Sequence, residues 1–272
     1  MRSTWIAGVF LALSLALNSA APAREAGLLV PAYFYPSWDD AQANHWDELI
    51  AAAPRVPLVA ILNPASGPGA RRIPDYARAV DSLHAAGGRV IGYVHTSYTQ
   101  RPLPEVLAEV DAYYERYPLD GIFFDETTGD TATAHLAYYR ACGQHVQKRT
   151  PGALVVLNPG TDADQVYLKS ATCLLLFEND QAKASLLDWQ PPAWVSPVQG
   201  PQVAVLAYHL ADEAAMAAVL TKALGAGAGW LYLTDDTLPN PWDALPAFWE
   251  AQVQALARFN QPAGEQRPAP GH

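Results

Sequence analysis

Three acidic residues directly follow apolar segments of the chain, and their type and placement suit hydrolysis of a glycosidic bond. The run GIFFDE ends in Asp125 and Glu126, and the run CLLLFE ends in Glu178. Such hydrolysis needs two carboxyl groups that flank the bond: one protonates the leaving oxygen, and the other attacks the sugar or activates a water molecule. We therefore take Asp125, Glu178 and Glu126 as the candidate catalytic residues.

Each of these acids also has an interpretation without catalysis. Asp125 could cap the helix that starts near Thr131 or pair with Arg140, and Glu178 could be a solvated acid on a loop. Adjacent residues of a strand point to opposite sides, so Asp125 and Glu126 both reach one site only if the strand ends there. Otherwise one of the two supports the other from outside the site.

Further polar and aromatic residues follow other apolar segments or lie in the loops just after them. Binding pockets combine aromatic surfaces with a few polar groups, and sugar rings stack on aromatic side chains. The candidate substrate-binding residues are Tyr35, Trp38, Asn63, His95, Tyr98, Asn158, Trp194, Tyr208 and Asp235. His95 also fits a hydrogen-bonded core histidine, and some of the aromatic residues fit the core. Asn63 and Asn158 precede prolines and fit turns, and Asp235 fits a helix N-terminus.

Eight short apolar segments alternate with helical patterns along the chain. Most segments are apolar nearly throughout, as in parallel strands buried on both faces. The predicted strands are 28–35, 57–63, 89–95, 121–126, 153–158, 173–178, 202–208 and 230–235. Apolar residues spaced three and four apart predict helices at 73–86, 104–117, 131–148, 162–170, 212–224 and 242–259. This alternation over about 250 residues predicts an α/β fold, a single (β/α)8 barrel.

A doubly wound open sheet would also alternate strands and helices. Yet no glycine-rich nucleotide motif follows the first strand, and GAGAG at 225–229 lies between a helix and a strand, the wrong order for phosphate binding. In a barrel the carboxyl ends of the strands form one rim, where catalytic residues lie. Polar residues follow nearly every predicted strand at that end, so we expect the site there.

The charge balance argues against some classes of partner. The chain has 17 Lys+Arg against 27 Asp+Glu, a net charge of −10, and a pI near 5.0. Nucleic acids and anionic membranes both attract basic surfaces, so we expect neither as a partner. We expect a monomer without a cofactor or a metal site; a divalent ion at Asp125, Asp235 and Asp236 is the alternative. Cys142 and Cys173 could pair or remain separate buried thiols.

The first 23 residues match a secretory signal peptide. Arg2 precedes an apolar run of 13 residues, and Ala21-Pro22-Ala23 is a cleavage site of the A-x-A type. The run is short of the about 20 residues that span a membrane; an uncleaved anchor is the alternative. We expect a signal peptide at 1–23, a catalytic barrel at 24–260 and a disordered polar tail at 261–272. The mature protein would be secreted, to a periplasm or outside the cell, without a membrane span.

Five motifs along the chain together resemble the spherulin 4 family, which includes fungal hydrolases of galactosaminogalactan and is similar to the endo-α-1,4-polygalactosaminidases. In order they are LLVPAYFYPSWDDAQANHWDELI, VPLVAILNPASGPG, VIGYVHTSY, YPLDGIFFDET and FEN. The resemblance runs from Leu28 to Phe259 and implies the same (β/α)8 barrel. It also implies cleavage, within the polymer, of α-1,4-linked galactosamine or N-acetylgalactosamine, or of another amino-sugar exopolysaccharide of a biofilm matrix.

The resemblance further implies retention of configuration, and two carboxyl groups suffice for this hydrolysis without a cofactor. It makes Asp125 the nucleophile and Glu178 the general acid/base, with Glu126 in support, and the first two roles could be exchanged. The segment 181–199 matches no pattern of the family, which leaves the exact sugar open. Two alternatives stay open: a non-catalytic polysaccharide-binding protein of the cell surface or matrix, and an exported metal-dependent deacetylase.

Overall fold

A computed structural model describes residues 25–38, 44–196 and 202–261 and shows a closed barrel of eight parallel strands. Each strand pairs with the next along the chain, and the last pairs with the first. The strands are β1 Gly27–Ala32, β2 Leu58–Leu62, β3 Arg89–His95, β4 Gly121–Asp125, β5 Leu154–Leu157, β6 Cys173–Asp180, β7 Val203–Tyr208 and β8 Trp230–Leu233. The predicted (β/α)8 barrel is confirmed.

Helices connect most of the strands. They are α1 His45–Ala52, α2 Pro74–Ala85, α3 Leu103–Arg116, α4 Thr133–Arg149, α5 Glu213–Gly225 and α6 Trp249–Asn260. The predicted helix at 162–170 is a 3-10 helix, Gln165–Lys169, between β5 and β6. The described residues between β6 and β7 form turns in place of a helix.

Two helices differ from the sequence-based prediction. The pattern does not predict α1, which buries only three residues, too few to show a period. The side chain of Asn44 caps α1 by accepting a hydrogen bond of 3.3 Å from the N–H of Trp46. The helix predicted at 242–259 begins at Trp249, just after Pro246, because a proline inside a helix removes a backbone hydrogen bond.

Close packing of the helices on the barrel fixes the strands that carry the site. Gly92 of β3 shows how close α3 comes, because a Cβ at this position would lie 2.8 Å from the ring of Tyr113. The Tyr113 hydroxyl donates a hydrogen bond of 2.9 Å to the carbonyl of Leu62, at the end of β2. The helix is thereby held against β2 and β3 at once.

Backbone hydrogen bonds bring the carboxyl ends of β4, β5 and β6 together. The N–H of Asn158, just after β5, donates to the carbonyl of Phe124 in β4 at 2.9 Å. The N–H of Glu178 in β6 donates to the carbonyl of Gly160 at 3.2 Å. Asp125, Asn158 and Glu178 therefore lie side by side at one rim of the barrel.

Cys142 and Cys173 are both free and buried, so the interpretation as separate thiols holds. Burial raises the pKa of the Cys142 thiol to about 12. None of the helices in the described ranges is both long and apolar enough to cross a membrane. The predicted signal peptide and all but the first residue of the predicted tail lie outside the described residues, and both stay predictions.

A candidate active site at the carboxyl end of the barrel

A polar pocket of about 370 Å³ opens where β3 to β7 end. It gathers all three candidate catalytic acids and three of the nine candidate binding residues. The lining residues are Tyr98, Asp125, Glu126, Asn158, Pro159, Gly160, Glu178 and Tyr208. The expectation that the site lies at the carboxyl rim agrees with this placement.

One amide group joins two of the acids. The Asn158 Nδ2 donates to Asp125 Oδ1 at 2.7 Å and to Glu178 Oε2 at 2.6 Å. The orientation of this amide is fixed from its other side, because Asn158 Oδ1 accepts a hydrogen bond of 2.8 Å from the N–H of Gly160. Both N–H bonds of the amide are thus aimed at carboxylates, one on each side.

The two joined acids differ in their tendency to ionise. Burial and the charge of Asp125 raise the pKa of Glu178 from 4.5 to about 7, and the hydrogen bond from Asn158 opposes this rise. Burial also raises the pKa of Asp125, but three hydrogen bonds counter it, from Tyr93, the N–H of Glu126 and Asn158. Below about pH 7 this environment favours a protonated Glu178, and the three hydrogen bonds favour the ionised form of Asp125 beside it.

Glu126 lines the pocket next to Asp125 even though the two residues are consecutive. β4 ends at Asp125, and Glu126 adopts a left-handed backbone conformation with φ of 51°. This turn removes the strand alternation that would send the two side chains apart. The N–H of Tyr98 donates to the carbonyl of Glu126 at 2.7 Å, and the hydroxyl of Ser97 donates to its carboxylate at 3.2 Å.

The loop after β3 presents an aromatic ring at the edge of the pocket. Ser97, Tyr98 and Thr99 all have positive φ angles, between 46° and 71°. Left-handed conformations at residues other than glycine cost on the order of 1 kcal/mol or more each and cluster at functional sites. Tyr98 is 53% exposed, so its ring is held at the pocket without being packed in the core.

Tyr93 is a site residue that the sequence analysis missed. Its hydroxyl donates a hydrogen bond of 2.8 Å to Asp125 Oδ2, and its ring packs edge-on against Tyr33 with centroids 5.6 Å apart. In the sequence, Tyr93 sits inside an apolar strand and looks like a core aromatic residue. The strand period gave a usable signal, since Tyr93 points to the side opposite Gly92, which faces α3.

Six candidate binding residues do not line the pocket: Tyr35, Trp38, Asn63, His95, Trp194 and Asp235. The first two contact the start of α2. The Tyr35 hydroxyl donates to the carboxylate of Asp75 at 2.5 Å. The Trp38 indole donates to the carbonyl of Asp75 at 3.1 Å, and the guanidinium of Arg78 lies 4.3 Å from its ring centre.

The other four residues outside the pocket make contacts that stabilise loops. The Asn63 side chain accepts a hydrogen bond of 2.9 Å from the N–H of Gly67, and the Asp235 carboxylate accepts one of 3.3 Å from the N–H of Ala247. The backbone carbonyl of His95 accepts one of 2.7 Å from the Arg101 guanidinium. The Trp194 indole donates one of 3.0 Å to the carbonyl of Ala163. Polar groups near the ends of strands thus also support turns. Contact with a substrate that extends beyond the pocket stays a prediction for all six.

The alternative metal site has no counterpart in the described residues. Across residues 25–38, 44–196 and 202–261, no group of three or more His, Cys, Asp or Glu side chains is arranged to hold a metal ion. Asp235 and Asp236 follow β8 and do not line the pocket that holds Asp125.

Sequence comparisons relate most of the chain to one family. The family model Spherulin4, described as spherulation-specific family 4, matches residues 27–256. Spherulin-4 of Physarum polycephalum is 40% identical over 157 residues, which cover 56% of this chain and 44% of that protein. The alignment therefore spans less than half the length of this relative.

Solved structures share the barrel. Sph3 of Aspergillus clavatus, solved in complex with GalNAc, superposes with a TM-score of 0.71 at 24% identity and covers 88% of this chain and 100% of that chain. The maltogenic α-amylase AmyB of Thermotoga neapolitana gives a TM-score of 0.53 at 9% identity, with 87% of this chain and 77% of that chain covered. At these identities the likeness establishes the fold.

Proposed function

The chain belongs to the spherulation-specific family 4, and on this premise we propose that it is a secreted, endo-acting glycoside hydrolase. Its proposed substrate is an exopolysaccharide with α-1,4-linked galactosamine or N-acetylgalactosamine, such as galactosaminogalactan. One observation carries the proposal: Asp125 and Glu178 flank the amide of Asn158 in one pocket, at 2.7 and 2.6 Å from the same nitrogen.

The proposed reaction has two steps. In the first, Asp125 attacks the anomeric carbon while the bond to the leaving oxygen breaks, and Glu178 transfers its proton to that oxygen. In the second, water attacks the anomeric carbon, Glu178 takes a proton from the water, and the bond to Asp125 breaks. The polymer is left as two shorter chains, and both carboxyl groups return to their starting states.

The protonation states support this division of roles. A general acid must hold its proton at the working pH, and the raised pKa of Glu178, about 7, meets that need. A nucleophile must be ionised, and the three hydrogen bonds to Asp125 favour its charged form. We assign Glu126 a supporting role next to Asp125.

The spacing of the two acids supports retention of configuration. Their bonded oxygens lie no more than about 5.3 Å apart, the sum of the two hydrogen bonds to Asn158. Retaining enzymes place their carboxyl groups about 5–5.5 Å apart, whereas inverting enzymes leave about 6.5–9.5 Å for a water molecule. The upper limit on the distance between these two oxygens matches the spacing of the retaining enzymes.

Charge and aromatic surface support an amino sugar as the substrate. Asp125 and Glu126 give the pocket a negative potential, which favours a protonated amino group. Tyr98 and Tyr208 supply ring surfaces at its edge. The complex of Sph3 with GalNAc adds support from a protein of the same fold, and the signal-like N-terminus supports secretion.

The proposal is tested by incubating the mature chain, residues 24–272, with purified galactosaminogalactan and following product sizes by mass spectrometry. We expect a series of oligosaccharides, with the α configuration at the first-formed reducing end by NMR. Addition of a chelator should leave the rate unchanged. Polymer that is bound but not shortened would point to a polysaccharide-binding protein, and release of acetate without oligosaccharides would point to a deacetylase.

The rate of cleavage should depend on pH as a bell-shaped curve. Activity needs Asp125 ionised and Glu178 protonated, so kcat/KM falls below the raised pKa of Asp125 and also falls above about pH 7, the pKa of Glu178. Tyr93→Phe removes one hydrogen bond that lowers the pKa of Asp125. The acid limb of its profile should therefore move to higher pH.

The basic limb serves as the internal control in this experiment. It reports Glu178, which the Tyr93 hydroxyl does not contact, so it should stay in place in Tyr93→Phe. A rate that is constant from about pH 4 to 8, or a variant that shifts the basic limb alone, would contradict the assignment of roles.

A further inference from the structure

A second pocket lies beside the first, between the turn after β6 and the start of α5. Its volume is about 390 Å³, and its lining is mostly apolar. The lining residues that matter here are Leu187, His209, Leu210, Ala215 and Val219. Among its described lining residues, His209 alone carries a titratable side chain.

The two pockets share a wall. Tyr208 lines the first pocket and His209, the next residue, lines the second. The wall is fixed to β6, because the N–H of Gln181 donates to the carbonyl of Tyr208 at 2.9 Å. The same strand carries Glu178 to the first pocket, and its Asp180 contacts His209 of the second, so a polymer bound at Glu178 has the second pocket as its neighbour.

The His209 ring is held in place at the second pocket. Its Nδ1 lies 2.9 Å from an oxygen of Asp180, whose side chain is only 9% exposed. The backbone N–H of His209 donates to the carbonyl of Asp236 at 2.8 Å. The backbone φ of His209, 66°, is left-handed. A strained residue that is anchored from two sides is typical of a binding site.

We propose that the second pocket binds an N-acetylated hexosamine unit of the same polysaccharide, an inference that rests on the proposed function. The methyl of the acetamido group packs on Leu210 and Val219, and the unit covers Leu187, an apolar side chain that is 48% exposed. The imidazole of His209 faces the polar groups of the sugar. This contact removes apolar surface from water on both partners.

Charge makes the second pocket selective for the acetylated form. A free hexosamine carries an ammonium group, which needs a carboxylate when it leaves water. Asp180, which contacts the pocket through His209, already pairs with that ring and with Lys183 at 3.7 Å. Asp212, at the start of α5, accepts the N–H of Ala215 at 2.8 Å. The neutral acetamido group avoids this cost, so the two pockets differ: the first is rich in carboxylates and the second accepts an uncharged unit.

The test fills the second pocket from α5. Ala215→Phe places a ring in the pocket, and Ala218→Phe places the same ring on the exposed side of the same helix as the matched control. Affinities are measured by calorimetry in the Glu178→Gln background, with oligosaccharides of N-acetylgalactosamine and with their deacetylated counterparts. Ala215→Phe should weaken binding of the acetylated oligosaccharides by about 10-fold or more and leave the deacetylated ones unchanged. Ala218→Phe should change neither.

Leu187→Ala is the second variant, because it removes apolar surface without adding bulk and should weaken the same acetylated oligosaccharides. Unchanged affinities in Ala215→Phe and Leu187→Ala would overturn the inference, as would an equal loss for both kinds of oligosaccharide. Cleavage of galactosaminogalactan by the wild type is measured separately. If cleavage occurs and the affinities do not change, the inference about the second pocket is wrong and the proposed function stands. If the affinities change and no cleavage occurs, the proposed function is wrong and the inference about the second pocket stands.

Discussion

Glu178→Gln should lower the rate of polysaccharide cleavage by about 10²- to 10⁴-fold, the usual contribution of a general acid. Glutamine keeps the size of the side chain and an oxygen that accepts the hydrogen bond from Asn158. It has no proton to transfer to the leaving oxygen. Initial rates on galactosaminogalactan measure the effect, and Glu213→Gln, which changes an exposed glutamate of α5, should match the wild type.

Thermal unfolding separates this loss of activity from a loss of structure. The pKa of Glu178 is raised from 4.5 to about 7 in the folded protein, so its contribution to stability is present at low pH and is lost as pH rises through 7. At about pH 8 the charge of Glu178 opposes folding, and glutamine removes that charge. The Tm of Glu178→Gln should then equal or exceed that of the wild type, and a clearly lower Tm would make Glu178 a structural acid.

Asp125→Asn should lower the rate by on the order of 10⁴-fold or more, since the proposed covalent step loses its nucleophile. Asparagine keeps the size of the side chain but neither the negative charge nor the reactivity of the carboxylate. Long incubations with product detection by mass spectrometry measure the residual rate. Full activity in Asp125→Asn would remove Asp125 from the chemistry.

Azide distinguishes the two possible orders of the roles. In Asp125→Ala the shortened side chain leaves room for azide to attack the anomeric carbon in its place, from the same face. An α-linked substrate then gives a β-glycosyl azide, which NMR identifies. If Glu178→Ala forms the β-glycosyl azide instead, the nucleophile is Glu178 and the roles are exchanged.

Much of the fold could be predicted because most strands are buried on both faces and each reads as a separate apolar run. The eight runs match β1 to β8 in order. The errors fall where local pattern is weak. α1 is too short to show a period, and Pro246 shortens the last helix. Residues 181–196, between β6 and β7, make contacts with the rest of the barrel that the sequence does not display.

The pocket could be predicted in part because acids that directly follow apolar runs have few structural uses. The joint presence of Asp125 and Glu126 depends on the φ of 51° at Glu126, which residue types alone do not reveal. Tyr93 was missed because its hydroxyl reaches Asp125 from within an apolar strand. Tyr35 and Trp38 contact the start of α2, since a barrel rim also holds side chains that support its loops.

The charge of Asp125 is one cause of the raised pKa of Glu178. In the proposed mechanism Asp125 forms an ester with the sugar, that charge disappears, and the pKa of Glu178 falls with it. Glu178 has just given up its proton and now holds its negative charge more easily, so it is ready to accept a proton from water. The making of one covalent bond thus converts the neighbouring residue from donor to acceptor, and its breaking restores the donor for the next turnover.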